Sequence, residues 1–349
     1  MKEKQFNTCN KKLHIVPEVS TINRWARLVV NATFLLFTSI LLTQCGPKPF
    51  SKVLRPLINS TNPVKLGPYK ENIKDVTEHK LIKIPVAGAP DAGLIIYTSN
   101  TSTDQLKPIL FLVHGGGWMM GTANQLGPFS KLLASEGFVI ASLEYSLSPE
   151  YKYPTPIQQS AAAIAYIQTH AKEYGADPTK FFIGGNSAGA QISGQLGAMI
   201  TNDAFEKQVG IAIEMPVAHL KGIILYSGPY NMETVGKNNF PGFRKYVWGY
   251  TGQKKYERYA RIDELSVVKN VTSDYPATYM TTGDADPLEP QTYELEAILK
   301  SKGVEVTTRY WTGSNKKLPH DYNFNLETDA GQTAFKDVVN FINAKSLIN

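Results

Sequence analysis

The chain has 349 residues, of which 42% are hydrophobic and 19% charged, a balance that excludes a disordered chain and allows a large buried core. Its formal charge is +6, but residues 1–44 hold six Lys or Arg against two acids; the basic excess is mostly N-terminal, no basic stripe is interleaved with aromatics, and no nucleic-acid partner is expected. Its two cysteines, Cys9 and Cys45, both precede the body of the chain, which excludes a disulfide or a cysteine metal site there.

Leu28–Leu42 is an apolar stretch of 15 residues preceded by Arg24 and Arg27, the layout of a charged n-region and an apolar h-region. It is short for a spanning helix, which needs about 20 residues. Leu42-Thr43-Gln44-Cys45-Gly46 resembles a bacterial lipobox, although Gln44 stands where a small residue is usual. Residues 1–45 therefore read as a signal peptide or a membrane anchor, with lipidation of Cys45 and a retained anchor both open. The expected location is exported, at the cell envelope or secreted, with membrane attachment through the N-terminus. Residues 46–75, rich in Pro, Asn, Ser and Lys, read as a linker or N-terminal cap segment.

From residue 76 onward strands and helices alternate. Short strands are expected at 81–85 and 94–98. Pro108–Val113 is a continuous apolar run, the mark of a strand buried on both faces in a parallel sheet. A helix at 127–135, a strand at 138–143, a helix at 156–174 and a strand at 180–184 follow. Then come a helix at 187–200, strands at 220–226 and 277–282, a helix at 294–302, a strand at 305–311 and a last helix at 331–344. This order predicts an α/β fold: a mainly parallel central sheet with helices on both faces. Residues 229–274 break the rhythm with many aromatics, Phe240, Tyr246, Trp248 and Tyr250 among them, and read as a small cap over a site.

Two glycine motifs carry the chemistry. Gly185-Asn186-Ser187-Ala188-Gly189 lies between a predicted strand and a predicted helix. A nucleophilic serine needs its hydroxyl on a sharp strand-to-helix turn, and small residues two positions either side let that turn pack. The helix N-terminus also aims N–H groups and positive dipole at developing negative charge. His114-Gly115-Gly116-Gly117-Trp118 directly follows a strand. Consecutive glycines bring backbone N–H groups close to a ligand, and acyl transfer needs such donors at the carbonyl oxygen. The expected donors are Gly115, Gly116 and Ala188. A phosphate-cradling loop is the alternative, but no Lys-Ser/Thr follows and no nucleotide fingerprint is present.

Together with Glu144-Tyr145-Ser146-Leu147-Ser148-Pro149-Glu150, Pro154 and Gly283-Asp284-Ala285-Asp286-Pro287-Leu288, these motifs resemble the hormone-sensitive-lipase-like group of α/β-hydrolases, the family IV esterases. The similarity runs from about residue 76 to the C-terminus. It implies an α/β-hydrolase fold, a serine carboxylesterase acting on short to medium acyl esters, and no cofactor. The family commonly has Asp where this chain has Asn186. The acid must follow the serine in chain order. Asp286, before Pro287 and Leu288, resembles the family's catalytic acid, and Asp284 is its competitor. The base must come last, and after Asp286 the only histidine is His320. His114 comes too early and is expected to be structural. Trp118 and the cap aromatics are expected to line the substrate pocket. No metal motif stands out. Amide hydrolysis on the same triad and a non-catalytic ligand-binding protein of the same fold are the rival readings.

Overall fold

The structure, a computed structural model, describes residues 46–101 and 104–347. The signal-or-anchor reading of residues 1–45, Cys45 included, lies outside them. The strands are β1 (Val76–Glu78), β2 (Ile82–Val86), β3 (Ala89–Ser99), β4 (Lys107–Val113), β5 (Val139–Glu144), β6 (Ala176–Asn186), β7 (Leu220–Tyr226), β8 (Thr278–Thr281) and β9 (Val306–Arg309). They form one sheet in the order β1-β3-β5-β4-β6-β7-β8-β9, with β2 also on β3. β3 runs antiparallel to β1, β2 and β5, and every pairing from β5 through β4 to β9 is parallel.

The continuous apolar runs do what the pattern implies. Along β4, Ile109, Phe111 and Val113 enter one core while Leu110 and Leu112 enter the other. Along β7, Ile223 and Leu225 face the first core, Ile224 and Tyr226 the second. Successive side chains leave a strand on opposite faces, so a strand covered on both sides has no polar face to show. Helices α3 (Thr155–His170), α4 (Ala188–Thr201) and α8 (Glu289–Ser301) close the first core through Ile157, Ile192 and Leu295. Helices α2 (Gly127–Ser135) and α9 (Asp329–Ser346) close the second through Phe129 and Phe341. The expected parallel sheet with helices on both faces is what forms.

Two readings change. Of the two readings of residues 46–75, linker or N-terminal cap segment, the linker does not describe Pro47–Asn59, which is a helix, α1, within the same unit as the body. Proline is tolerated in a first turn, where its missing N–H would have no partner, and the burial of Phe50 against Tyr246, ring centroids 5.6 Å apart, holds the helix down. Arg55 then donates to the carbonyls of Met119 (2.8 Å) and Ser148 (2.7 Å) and pairs with Glu150. Likewise α8 begins at Glu289 rather than 294, because Pro290 fits the first turn. Helix α5 (Asp203–Val209) precedes the segment 229–274, which contains the short helices α6 (Phe243–Thr251) and α7 (Val267–Asn270). Tyr230, Phe243 and Tyr250 in this segment are buried in the first core, so only part of its aromatic content is free to face a site.

Candidate active site

Ser187 joins β6 to α4 with φ 53° and ψ −119°, a backbone state that costs energy and persists only where its surroundings enforce it. They do. Its N–H donates to the carbonyl of Tyr226 at 2.8 Å. A Cβ at Gly189 would lie 2.1 Å from the Val113 carbonyl oxygen, and one at Gly185 would lie 2.6 Å from the backbone of Gly189. Side chains at either position would push the turn off the sheet. Ala188 opens α4, so its N–H is one of the donors a helix leaves without an internal partner.

The loop after β8 and the loop before α9 meet beside this turn. His320 Nδ1 donates to both carboxylate oxygens of Asp286, at 3.0 and 2.9 Å. The Asp286 side chain is fully buried, and it also accepts from the N–H of Leu288 at 2.8 Å and the hydroxyl of Thr282 at 3.3 Å. Burial pushes the Asp286 carboxyl up, but the hydrogen bond and charge of His320, with bonds from Ser227 and Leu288, outweigh it and hold the carboxyl below its ordinary value. Burial pushes the His320 imidazole down, yet Asp321 and Asp286 raise it to about 9. Asp284 plays another part: it accepts from the Ser314 hydroxyl and the N–H groups of Lys316 and Leu318. It satisfies a loop and does not touch His320.

The glycine loop departs from expectation at one position. The N–H of Gly115 donates to Asn186 Oδ1 at 2.9 Å, so this donor is already used. No acceptor among the described residues takes the N–H of Gly116 or Gly117, and both glycines line the cleft. The free donors are therefore Gly116, Gly117 and Ala188. A sequence scan could not see this, because the competitor for Gly115 comes from the end of the neighbouring strand β6, 71 positions along the chain. His114 is structural as expected. It stacks on Tyr145 with centroids 4.2 Å apart and donates from Nδ1 to the Gly115 carbonyl. Burial lowers its pKa against the pull of Glu144 and that bond, and a neutral ring fits an Nε2 that is buried without a partner.

Trp118 is a correction. It is 1% exposed, stacks on Tyr250 at 4.9 Å and donates from its indole N–H to Gln191 Oε1 at 3.0 Å. The residue has φ 58°, and it does not line the cleft. The wall is built instead by Met120, Leu126, Phe240 and Tyr246, and by Ile58, Thr61 and Pro63 from α1 and the turn after it. These enclose about 220 Å³. Phe240 sets its edge against the His320 ring, centroids 4.9 Å apart.

Ser187 and His320 face this same cleft, but no hydrogen bond joins them. His320 Nε2 lies 3.7 Å from Asp321 Oδ2, and that oxygen accepts from Asn186 Nδ2 at 2.7 Å. Neither Asn186 nor Asp321 was marked as functional by the sequence. The departure from Asp at 186 was the available signal. The arrangement can present a hydroxyl to an electrophile, move a proton through an imidazole and place N–H donors beside the resulting charge. Among the described residues, no group of His, Cys, Asp or Glu is arranged to hold a metal ion.

Comparison with known proteins bears on the fold and the reaction class. The BD-FAE family model matches residues 94–299, more than half of the chain. The versiconal hemiacetal acetate esterase of Dothistroma septosporum is 26% identical over 264 residues, covering 72% of this chain and 75% of its own. An acetyl esterase of Salmonella choleraesuis is 29% identical over 224 residues, covering 60% and 65%. In fold, the chain is similar to the crystal structure of esterase B from Lactobacillus Rhamnosis, with a TM-score of 0.70 at 19% identity over 78% of this chain and 87% of that one. With this fold and these relatives, the chain is a carboxylic ester hydrolase and belongs to the BD-FAE family.

Proposed function

We propose that the chain hydrolyses short- to medium-chain acyl esters through Ser187, His320 and Asp286, by way of an acyl-enzyme. The observation that carries this reading is the two-oxygen contact of Asp286 with His320 Nδ1 in the cleft that Ser187 also faces. Once Nε2 has lost its proton to solvent, Asp286 holds the imidazole in the tautomer whose Nε2 is free to accept. As substrate enters, Nε2 moves from Asp321 to the Ser187 hydroxyl; such contacts often tighten only in the complex. The hydroxyl oxygen attacks the ester carbonyl as its proton passes to Nε2. The N–H groups of Gly116, Gly117 and Ala188 receive the oxyanion, where each donor is worth about 10²–10³ in rate. The imidazolium returns the proton to the leaving alcohol. Water, deprotonated by His320, then releases the acid.

The small cleft supports the acyl size, because Phe240, Tyr246, Met120 and Leu126 leave about 220 Å³. The acetyl ester named for one relative points the same way. A series of p-nitrophenyl esters from acetate to palmitate, run beside anilides, tests the reading. Turnover is expected to be highest at short to medium chain length, with anilides far slower. Ser187→Ala is expected to remove at least ~10⁴ of kcat. Turnover surviving in Ser187→Ala, or a preference for palmitate, overturns it.

A further inference from the structure

We propose that Asn186 and Asp321 form a clamp that ties the glycine loop to the histidine loop and sets where His320 rests between turnovers. The proposal rests on the triad reading and goes beyond it, since neither residue belongs to the triad.

The clamp is a chain of three contacts across three loops. Asn186, 6% exposed, ends β6 and directly precedes Ser187. Its Oδ1 accepts the N–H of Gly115 at 2.9 Å, after β4. Its Nδ2 donates to Asp321 Oδ2 at 2.7 Å, in the loop before α9. That oxygen lies 3.7 Å from His320 Nε2. The amide is admitted because position 115 has no side chain: a Cβ there would stand 2.6 Å from Asn186 Nδ2. Asp321 is held at φ 59°, a left-handed state that non-glycine residues rarely adopt. Its other oxygen, Oδ1, is buried without a partner. A strained backbone and an unsatisfied carboxylate oxygen persist where their surroundings over-determine them, and the bond from Asn186 is the contact that does so.

An amide is what the position needs. It must accept from Gly115 and donate to Asp321, and a carboxylate at 186 could only accept, leaving two like charges face to face. The result is a histidine between two carboxylates. Asp286 meets Nδ1 and Asp321 meets the Nε2 edge, with the edge of Phe240 on the ring. Tyr246 and His114 line the same cleft, and Tyr230 lies under the field of both carboxylates. None of these groups brings a positive charge to offset the two acids. Nε2 therefore sits 3.7 Å from Asp321 Oδ2, where the field of the two acids favours the imidazolium, and the raised His320 value agrees with that geometry. Asn186 and Asp321 are positioning residues: they act on the proton acceptor rather than on the ester.

The test is a pH profile of kcat/KM with three variants. Asp321→Asn is expected to move the rising limb at least about one pH unit toward acid, because a like-shaped neutral group replaces the charge beside Nε2. Asn186→Asp is expected to lower kcat at neutral pH at least about tenfold, with KM less affected, and to move the limb toward alkali. The double variant Asn186→Asp with Asp321→Asn restores a donor–acceptor pair in reverse, and is expected to recover kcat over Asn186→Asp. The imidazole titration of His320 followed by NMR in Ser187→Ala gives the same ordering without turnover. A limb unmoved in Asp321→Asn, or a double variant no better than Asn186→Asp, overturns the clamp. Turnover in Ser187→Ala would instead overturn the triad, so the two failures are separable.

Discussion

The turn at Ser187 is decided by backbone oxygen atoms that have nowhere to go. A methyl at Gly189 would meet the Val113 carbonyl at 2.1 Å, and that carbonyl sits at the end of a central strand fixed on both sides. Gly189→Ala is therefore expected to lose most esterase activity and to be destabilised by about 1–3 kcal/mol, the range for overpacking, with thermal unfolding as the check. Wild-type kcat in that variant would show that the turn has slack. This much was legible in the sequence, because the residues that must stay small lie within five consecutive positions, although the carbonyl they avoid belongs to β4. Gly115 was not, because its N–H is claimed by a side chain 71 positions away. Nor was the burial of Trp118, since an aromatic beside a glycine loop reads equally well as lining or as core until its partners are known.

Elements with a clear apolar period, such as α2 and β7, were legible with their ends. The first turn of α8 was not, and the helix α1 was not read within the linker or cap segment. Both carry proline in the first turn, which the composition of a linker shares, and α1 is held as a helix by the partners that Phe50 and Arg55 find on α6 and on the loops after β4 and β5. The helix matters to the site because Ile58, near its end, lines the cleft. Arg55 fixes that end through two carbonyls and Glu150. Arg55→Ala is expected to cost about 1 kcal/mol in stability, since a charged donor bond is worth more when buried than at this partly exposed position. It is also expected to raise KM several-fold while kcat changes less, because the wall moves and the turn at Ser187 does not. An unchanged KM would remove α1 from the substrate site.

At the scale of the whole molecule, the same contact serves stability and chemistry in opposite senses. His320 and Asp286 join two loops at the ends of β8 and β9, so their pairing ties distant parts of the chain together. The imidazole is raised from an ordinary 6.5 to about 9 by Asp321 and Asp286. A group raised on folding contributes stability that is complete below about pH 6.5 and is lost as the pH climbs through about 9. Asp286, held low by His320, contributes stability above the ordinary carboxylate value that is lost as the pH falls through its own. In the proposed mechanism catalysis runs the other way, because a general base must be neutral to accept the Ser187 proton. From about pH 6.5 to 9 the pair should therefore weaken as an ionic tie while kcat/KM rises. Comparing the unfolding midpoints of the wild type and His320→Gln across this interval isolates the tie from other titrating groups. Their difference is expected to shrink steadily, while wild-type kcat/KM climbs over the same range. A kcat/KM already level at pH 7, or a midpoint difference that stays constant to pH 9, would mean that His320 is neutral at rest and that the two carboxylates do not hold its proton.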